Sequence, residues 1–233
     1  GLSLIQEGLG RTAAVEPAKL ERTFVLGMND YGASIFLPRL IRRLRRTAPL
    51  VRLKTRHYAH GTQFEDLRSG NIDLSIAVAS EPPGWTSLEP LFEETAMAVA
   101  HVENPKIDVD RGGKIGLPAY IACPHVIMAP DGLDRNWVDD ILFDLGHERT
   151  IQHTVPHFLA IPPILRGTEL ITTAPRRIAE TLAGHEGLAA YELPFEAPGH
   201  RIVQIWAKRR DRDRDPHLIW LRKELRETAA ELD

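Results

Sequence analysis

Strand-like and helix-like segments alternate along most of the chain, and this alternation restricts the possible folds more than any other property of the sequence. Thr23–Met28 form an apolar run that predicts a buried strand, and apolar residues then recur at helical spacing over 35–44. The same order repeats, since a strand is predicted at 51–58, a helix at 62–69 and a strand at 73–79. Alternation of this kind predicts a parallel sheet with crossover helices.

The chain changes character twice, at 101–120 and at 191–200, where glycine, proline and charged residues accumulate. Strands and helices alternate again between these breaks, and one strand and one helix follow the second break, with Asp215 and Pro216 suited to begin the helix. Two breaks and a long tail predict an α/β fold of two Rossmann-like subdomains joined by two crossover strands. The predicted domains are a linker-helix remnant at 1–21, a first subdomain at 22–100 with 200–233, and a second subdomain at 101–199.

Composition indicates an ordinary globular protein and excludes several other classes. The chain has 233 residues, of which 43% are hydrophobic and 26% charged, enough to bury one large core or two small ones. A single cysteine, Cys123, excludes an internal disulfide framework and fits a reducing compartment, so a cytoplasmic location is expected. No apolar run approaches the roughly 20 residues that span a bilayer, so no membrane contact is expected. A net charge of −3 gives no electrostatic footprint for DNA.

Polar and small side chains follow the predicted strands at the points where the strands end. In an open α/β sheet, ligands bind at the carboxyl ends of the strands, beside the helix starts that follow. We therefore expect these residues to line a ligand site. They are Asn29, Asp30, Tyr31, Gly32 and Ala33 after the first strand, His60 and Thr62 after the second, Ala79 after the third, and Pro130, Asp131, Pro156, His157, Phe158, Thr172 and Thr173 in the second half.

Several of these residues also have a purely structural interpretation. Asn29 is suited to cap a helix whether or not a ligand is present, and Thr62 is equally suited to cap the next one. Phe158 is as well explained as a core residue, with His157 at the surface. Both interpretations remain open on the sequence alone.

The expected ligand is a small carboxylate, most readily an aromatic one. Helix starts near Ala33, Thr62 and His157 would direct backbone N–H groups toward the site, and such groups favour an anion. Tyr31 and Phe158 offer flat apolar surface. The candidate residues include no clear acidic pair that would hold a cation.

Metal binding and catalysis are not expected. His153 and His157 are four residues apart, but Pro156 lies between them and a carboxylate partner is missing. The chain has neither a G-x-S-x-G elbow nor a P-loop. We therefore expect neither an enzyme nor a bound cofactor.

Four segments, in order over 22–225, resemble one protein family. They are "FLPRLIRRLRRTAPLVRL", "FEDLRSGNIDLSIA", "HTVPHFLAIPPILRGTELITTAPRRIAETLA" and "KRRDRDRDPHLIWLRKEL". Together they resemble the effector-binding domain of the LysR-type transcriptional regulators, in the branch that contains nodulation regulators and regulators of aromatic-compound catabolism. One departure lies in "QIWAKRR", where Ala207 stands at a position at which this branch usually carries a histidine.

The resemblance implies a type 2 periplasmic-binding-protein fold, with an effector bound in the cleft between the two subdomains. It also implies a homodimer or homotetramer in which the arginine-rich helix at 39–46 takes part in subunit contacts. The same arginines also fit a solvated helix face or an anion patch. DNA would be contacted only through an N-terminal winged helix-turn-helix domain that this sequence does not include, with 1–21 as the end of its linker helix.

Two functions from different classes fit these observations. The first is an effector-sensing domain that controls DNA binding and transcription by the full-length regulator. The alternative is a solute-binding protein of a transporter, which shares the fold. The basic-then-apolar order of a signal peptide is missing from 1–19, which argues against the transporter.

Overall fold

A computed structural model describes residues 15–58, 61–208 and 213–232. The described chain forms two compact α/β units. Glu93–Arg201 make up the second unit, and the described residues on either side of that range make up the first. The fold class expected from the sequence is therefore confirmed.

Strands and short helices follow one another along the described chain. The strands are β1 (Thr23–Met28), β2 (Arg52–His57), β3 (Leu74–Val78), β4 (Thr86–Glu94), β5 (Ala96–His101), β6 (His125–Met128), β7 (Ile151–Val155), β8 (Ile171–Pro175), β9 (Leu188–Tyr191) and β10 (His200–Ala207). The helices are α1 (Asp30–Ile35), α2 (Leu37–Thr47), α3 (Phe64–Ser69), α4 (Leu117–Ala122), α5 (Trp137–Asp144), α6 (Ile161–Leu165), α7 (Arg176–Ala183) and α8 (Pro216–Ala229). Short 3₁₀ turns lie at Pro17–Lys19 and Phe158–Ala160.

The sheet of the first unit has the strand order β2-β1-β3-β10-β4. β1 is parallel to β2 and β3, as the alternation of strands and helices predicts. β10 runs antiparallel to β3, with Ile202 opposite Val78, so the sheet is mixed and not purely parallel. The predicted return of the tail to the first half of the fold is confirmed, because β10 lies between β3 and β4.

The sheet of the second unit has the order β7-β6-β8-β5-β9 and is mixed in the same way. β6 is parallel to β7 and β8, whereas β5 is antiparallel to β8 and β9. β9 was not foreseen, because its sequence at 188–191 is short and adjoins the second glycine- and proline-rich break.

The chain passes from one sheet to the other earlier than the sequence predicts. The first subdomain was predicted to extend to residue 100, but β4 ends before Thr95 and β5 begins after it. Because β5 pairs with β8 and β9, the second unit begins at Glu93. The second passage, predicted after residue 199, lies after Arg201.

Helix ends occur where the sequence provides caps. Gly70 ends α3 in the left-handed conformation (φ 82°), which glycine adopts without steric cost. Asp215 caps α8 as predicted, since its Oδ1 accepts a hydrogen bond from the backbone N–H of His217 at 2.9 Å. α1 begins at Asp30, so Asp30 and the residues up to Ser34 lie inside the helix and not in a turn before it.

Two local predictions are corrected by the structure. Thr62 does not cap α3, because that helix begins at Phe64 and Gln63 occupies the N-cap position. The segment 101–120 is not a plain linker, because α4 begins within it at Leu117. The proline that suggested a break, Pro118, lies in the first turn of α4, where its missing N–H has no helical partner to lose.

Each unit has its own apolar core. In the first unit Leu67 and Ile72 pack with Val203 and Ile205 of β10. In the second unit the fully buried Tyr120 packs with apolar residues of α5 and the sheet. β10 therefore supplies both a central strand and part of the core of the first unit.

A histidine is buried in the second unit. His125, the first residue of β6, has no solvent exposure, and its Nε2 lies 3.0 Å from the backbone carbonyl oxygen of Tyr120. Because a carbonyl can only accept, Nε2 carries the proton. Burial, with a smaller contribution from the nearby Arg149 cation, lowers the pKa of His125 to about 3.

The first prediction concerns the returning tail. A chain that ends at Gly199 lacks β10 and α8, which leaves β3 and β4 without their shared neighbour, so we expect the first unit not to unfold cooperatively. In the full chain, Val203→Asp places an unpaired charge at a fully buried position and should destabilise by more than about 3 kcal/mol. The exposed Arg201→Ala should cost less than about 1 kcal/mol. A chain ending at Gly199 that melts cooperatively in both units would contradict this topology.

The second prediction concerns acid stability. His125 is neutral when folded but has an ordinary pKa when unfolded, so its contribution is complete above about pH 6.5 and declines as the pH falls toward 3. The free energy of unfolding should fall by up to about 1.4 kcal/mol per pH unit for this proton. His125→Gln should remove that part of the slope in urea titrations between pH 6.5 and 4.5. Parallel slopes in the two proteins would contradict the assignment, and the comparison cancels His200, whose pKa burial also lowers.

Candidate functional site

The residues that follow β1 form a capped and largely buried helix start. Asn29 caps α1, because its Oδ1 accepts a hydrogen bond from the backbone N–H of Gly32 at 3.0 Å. Tyr31 and Gly32 are buried, while Asn29, Asp30 and Ala33 are half-buried. A Cβ at Gly32 would lie 3.1 Å from the Cβ of Met28, so glycine permits the close approach of helix and strand. Asn29 therefore has the structural role of a helix cap.

The end of β2 and the helix α3 carry an ion-pair cluster that sequence reasoning missed. The Tyr58 hydroxyl donates to the Asp66 carboxylate, which also accepts from Asn71 Nδ2 at 2.8 Å and lies 3.0 Å from Arg56. Burial and the Asp66 carboxylate raise the pKa of Tyr58 to about 12, and the hydrogen bonds from Tyr58 and Asn71 lower the pKa of Asp66. A Cβ at Gly27 would lie 3.1 Å from the Tyr58 ring, so Gly27 makes room for it.

The other candidates of the first unit lie at the same edge of its sheet. β1, β2 and β3 are neighbours and parallel, so the residues that follow them share the carboxyl edge. Thr62 and Ala79 are both exposed there. His60 lies outside the described residues.

The second unit places its candidates in two settings. Pro130, Asp131, Pro156 and His157 are exposed and follow the parallel strands β6 and β7. Phe158 is only 5% exposed, so the structure favours the alternative in which it is a core residue and His157 is at the surface.

Thr172 and Thr173 lie within β8 and not after it. Thr172 is fully buried, and its Oγ1 has no hydrogen-bond partner in the described part of the chain. Thr173 is half-buried, with its Oγ1 2.6 Å from the hydroxyl oxygen of Tyr120. A buried hydroxyl without a partner is unfavourable, so Thr172 is the candidate whose chemistry the surrounding protein does not satisfy.

Arg149 is the centre of a buried polar cluster in the second unit, which the sequence did not reveal. Its side chain has no solvent exposure and binds both carboxylate oxygens of Asp139, at 2.8 and 2.9 Å, and Asn136 Oδ1 at 3.0 Å. Its Nη1 lies 3.4 Å from the Tyr120 hydroxyl and 3.5 Å from His125 Nδ1. Burial acts to raise the pKa of Asp139, but the hydrogen bonds from Arg149 and the Asn136 backbone outweigh it and lower the pKa.

Two open grooves on the second unit contain none of the candidate residues. One groove is lined by Asp134, Arg135, Asp139, Phe143, Gly146, His147, Glu148, Arg149 and Ile151. The other is lined by Asp108, Val109, Asp110, Lys114, Ile115, Gly116, Leu117 and Pro194.

Among the described residues, no group of three or more histidine, cysteine or acidic side chains is arranged to hold a metal ion. Within the same ranges, no helix is both long and apolar enough to cross a membrane.

Comparison with known proteins identifies the family. Residues 17–230 match the family model described as the LysR substrate binding domain. The transcriptional activator NagR of a Ralstonia species is 29% identical over 222 residues, covering 95% of this chain and 72% of NagR. NahR of Pseudomonas putida is 27% identical, covering 94% of this chain and 71% of NahR. Nodulation protein D 1 of Neorhizobium galegae is 26% identical, covering 94% and 69%.

Solved structures agree with this match. The regulatory domain of MexT, a transcriptional activator in Pseudomonas aeruginosa, superposes with a TM-score of 0.80 at 27% identity, covering 91% of this chain and all of that one. The effector-binding domain of BenM with its effector benzoate has a TM-score of 0.71 at 20% identity, covering 92% and 93%, and so shares the fold. Because the family match covers nearly the whole sequence, the chain belongs to the LysR substrate-binding domain family and is the effector-binding domain of a LysR-type transcriptional regulator.

Proposed function

We propose that the effector is a small carboxylate carrying an aromatic ring, and that it contacts the candidate residues. The observation that carries this proposal is the buried Thr172 hydroxyl, which has no partner in the described chain. An unsatisfied buried hydroxyl costs about 1–3 kcal/mol, and an oxygen of a bound ligand would remove that cost. Thr173, the next residue of β8, is half-buried and projects from the opposite face of the strand, so its hydroxyl would meet the effector on the other side of β8.

The charge of the effector follows from the groups available to meet it. The side-chain donors among the candidates are hydroxyls, the asparagine amide and the imidazoles of His60 and His157, and Asp30 and Asp131 are their only acids. These two acids belong to different units, so neither sheet edge offers an acidic pair for a cation. In the same fold, the BenM domain holds benzoate, which is a carboxylate of the proposed class.

A solute-binding role in a transporter is the weaker interpretation. The relatives that match over most of this chain carry the names of transcriptional activators and nodulation regulators. These are regulators and not enzymes, and we assign no catalytic step to this domain. Because its net charge is −3, we infer that DNA is bound by another part of the regulator, in the cytoplasm where transcription occurs.

We also propose that the domain self-associates through α2. Arg43 of α2 is held by Glu224, Glu227 and Glu231 of the first unit, and is not available to a partner. The neighbouring arginines, Arg42, Arg45 and Arg46, are exposed, and Ile41 beside them is 46% exposed.

The partner surface must be acidic, because arginines from two copies of α2 would repel each other. α5 meets that requirement through Asp144, which is exposed beside Phe143, itself 73% exposed. Asp140 on the same helix is paired with Arg135 at 2.6 Å. We therefore infer that α2 of one copy faces α5 of a second copy.

The effector proposal predicts a stabilising ligand. Benzoates, salicylates, flavonoids and aliphatic acids are screened by thermal shift, and a ligand at one hundred times its dissociation constant should stabilise the domain by about 2.7 kcal/mol. Thr172→Val keeps the shape but removes the hydroxyl, and should reduce that shift. Thr154→Val, an exposed position on β7, is the matched control and should not. Asn29→Ala tests the candidate residues of the first unit. Its thermal shift is measured relative to the same variant without ligand, because the substitution also removes a helix cap worth about 1 kcal/mol.

A panel in which only cations or uncharged sugars stabilise the protein would contradict the carboxylate. A carboxylate that stabilises the wild type, Thr172→Val and Asn29→Ala equally would move the site away from these residues.

The dimer proposal predicts a charge-reversal rescue. Arg45→Glu and Asp144→Arg should each weaken self-association by about tenfold or more in sedimentation equilibrium, since each places like charges together. The double variant should recover most of the loss. Lys223→Glu, an exposed reversal on α8, should have little effect. A strict monomer at micromolar concentration, or losses that simply add in the double variant, would reject the α2–α5 pairing.

A further inference from the structure

The buried cluster around Arg149 fixes the direction of a chain of hydrogen bonds that ends at Thr173. A guanidinium group can only donate, so the Tyr120 hydroxyl oxygen accepts from Arg149 Nη1, 3.4 Å away. A tyrosine hydroxyl has a single proton. The other short contact of that hydroxyl is Thr173 Oγ1, 2.6 Å away. The Tyr120 hydroxyl therefore donates its hydrogen bond to Thr173 Oγ1.

The reverse direction leaves the tyrosine proton without an acceptor. If Thr173 donated to Tyr120, the Tyr120 proton would have to point toward Arg149, which has no lone pair to receive it. Burial raises the pKa of Tyr120, so the hydroxyl keeps its proton at neutral pH. The threonine oxygen thus accepts, and the proton on Thr173 is left to donate elsewhere.

His125 reports on the same network independently. Its Nε2 donates to the Tyr120 carbonyl oxygen, so in the neutral ring Nδ1 carries a lone pair. That lone pair faces Arg149 Nη1 at 3.5 Å, a long contact in which the guanidinium is again the donor. The Tyr120 hydroxyl oxygen and His125 Nδ1 therefore both accept hydrogen bonds from Arg149 Nη1, because a guanidinium group can only donate.

We propose that Arg149 and Tyr120 are positioning residues that make the Thr173 hydroxyl a hydrogen-bond donor, and that the domain thereby selects effectors by an acceptor oxygen. This inference rests on the proposed function, because it takes Thr173 to contact the effector. It goes beyond that proposal by assigning the selectivity to two residues that sequence reasoning did not include.

The cluster is built to hold this arrangement. Asp139 neutralises the buried guanidinium and binds it through both oxygens, which fixes the plane of the side chain. Asn136 binds the same guanidinium and also caps α5, where it forms a capping box with Asp139. Arg149 is thus held by two residues of one helix start, and its Nη1 cannot turn away from Tyr120 without breaking those bonds.

The direction of the hydrogen bond can be tested without any ligand. Long-range 1H–13C NMR spectra of the domain labelled at tyrosine should show a slowly exchanging hydroxyl proton on Tyr120, with a nuclear Overhauser effect to Thr173. Long-range 1H–15N spectra should show His125 protonated on Nε2. A proton found on Thr173 Oγ1 and directed at Tyr120 would overturn the proposal, whatever the effector is.

The selectivity is tested with two ring compounds of nearly equal shape, benzoate and benzamidine. Benzoate presents only acceptor oxygens and benzamidine only donor N–H groups, so the ratio of their affinities reports the polarity of the site. In the wild type we expect benzoate to bind more tightly. Tyr120→Phe frees the Thr173 hydroxyl to rotate, and should lower the benzoate-to-benzamidine ratio by about tenfold, the effect of one hydrogen bond to a charged group.

Controls separate positioning from loss of structure. Thr173→Val should lower benzoate affinity like Tyr120→Phe, whereas Thr173→Ser keeps the hydroxyl and should retain it. Tyr191→Phe removes a hydroxyl from a half-buried tyrosine of the same unit and should leave the ratio unchanged. General loosening of the fold would weaken both ligands and not shift the ratio.

Each outcome bears on a definite claim. If benzoate binding requires Thr173 but the ratio is indifferent to Tyr120→Phe, the positioning role is overturned and the proposed carboxylate effector stands. If benzoate is not among the carboxylates that stabilise the wild type, the affinity ratio is measured with the most stabilising carboxylate and its amidine analogue, and the same effect of Tyr120→Phe is expected. If no carboxylate binds, the proposed effector class and the selectivity both fail, although the NMR result still gives the hydrogen-bond direction.

Discussion

The pairing of β10 with β3 is the contact on which the architecture of the first unit depends. β10 comes from the far end of the chain and lies between β3 and β4, so the first sheet is complete only after the whole second unit has been made. Its buried residues Val203 and Ile205 also join Leu67 and Ile72 in the core. β10 therefore holds in place the parallel strands β1, β2 and β3. The carboxyl ends of these three strands carry the candidate residues of the first unit.

The second unit differs from the first in that it buries a charged side chain, Arg149. A guanidinium without solvent exposure is tolerated only because Asp139 neutralises its charge and further oxygens accept hydrogen bonds from it. Such a cluster contributes little net stability compared with an apolar core. Its effect is to fix hydrogen-bond directions, and that is the property a selective binding site requires.

Local features were predictable from the sequence, whereas contacts between distant residues were not. The alternation of elements and the Asp215 cap depend on neighbouring residues, and both are confirmed. The start of α4 was missed because Pro118 suggested a break, although proline is equally common in the first turn of a helix. Arg149 and Tyr120 are 29 residues apart, and no spacing rule connects them. Phe158 could not be assigned because an aromatic residue after a strand suits a core as well as a ligand.

The central proposal is that the candidate residues contact the effector. It is tested most directly by titrating a stabilising carboxylate into the 15N-labelled domain and mapping the changes in amide chemical shift. The account predicts that the largest changes lie at Gly32 and Ala33 in the first unit and at Thr172 and Thr173 in the second. Changes confined to the open groove lined by Phe143 and His147, with these four amides unmoved, would contradict it.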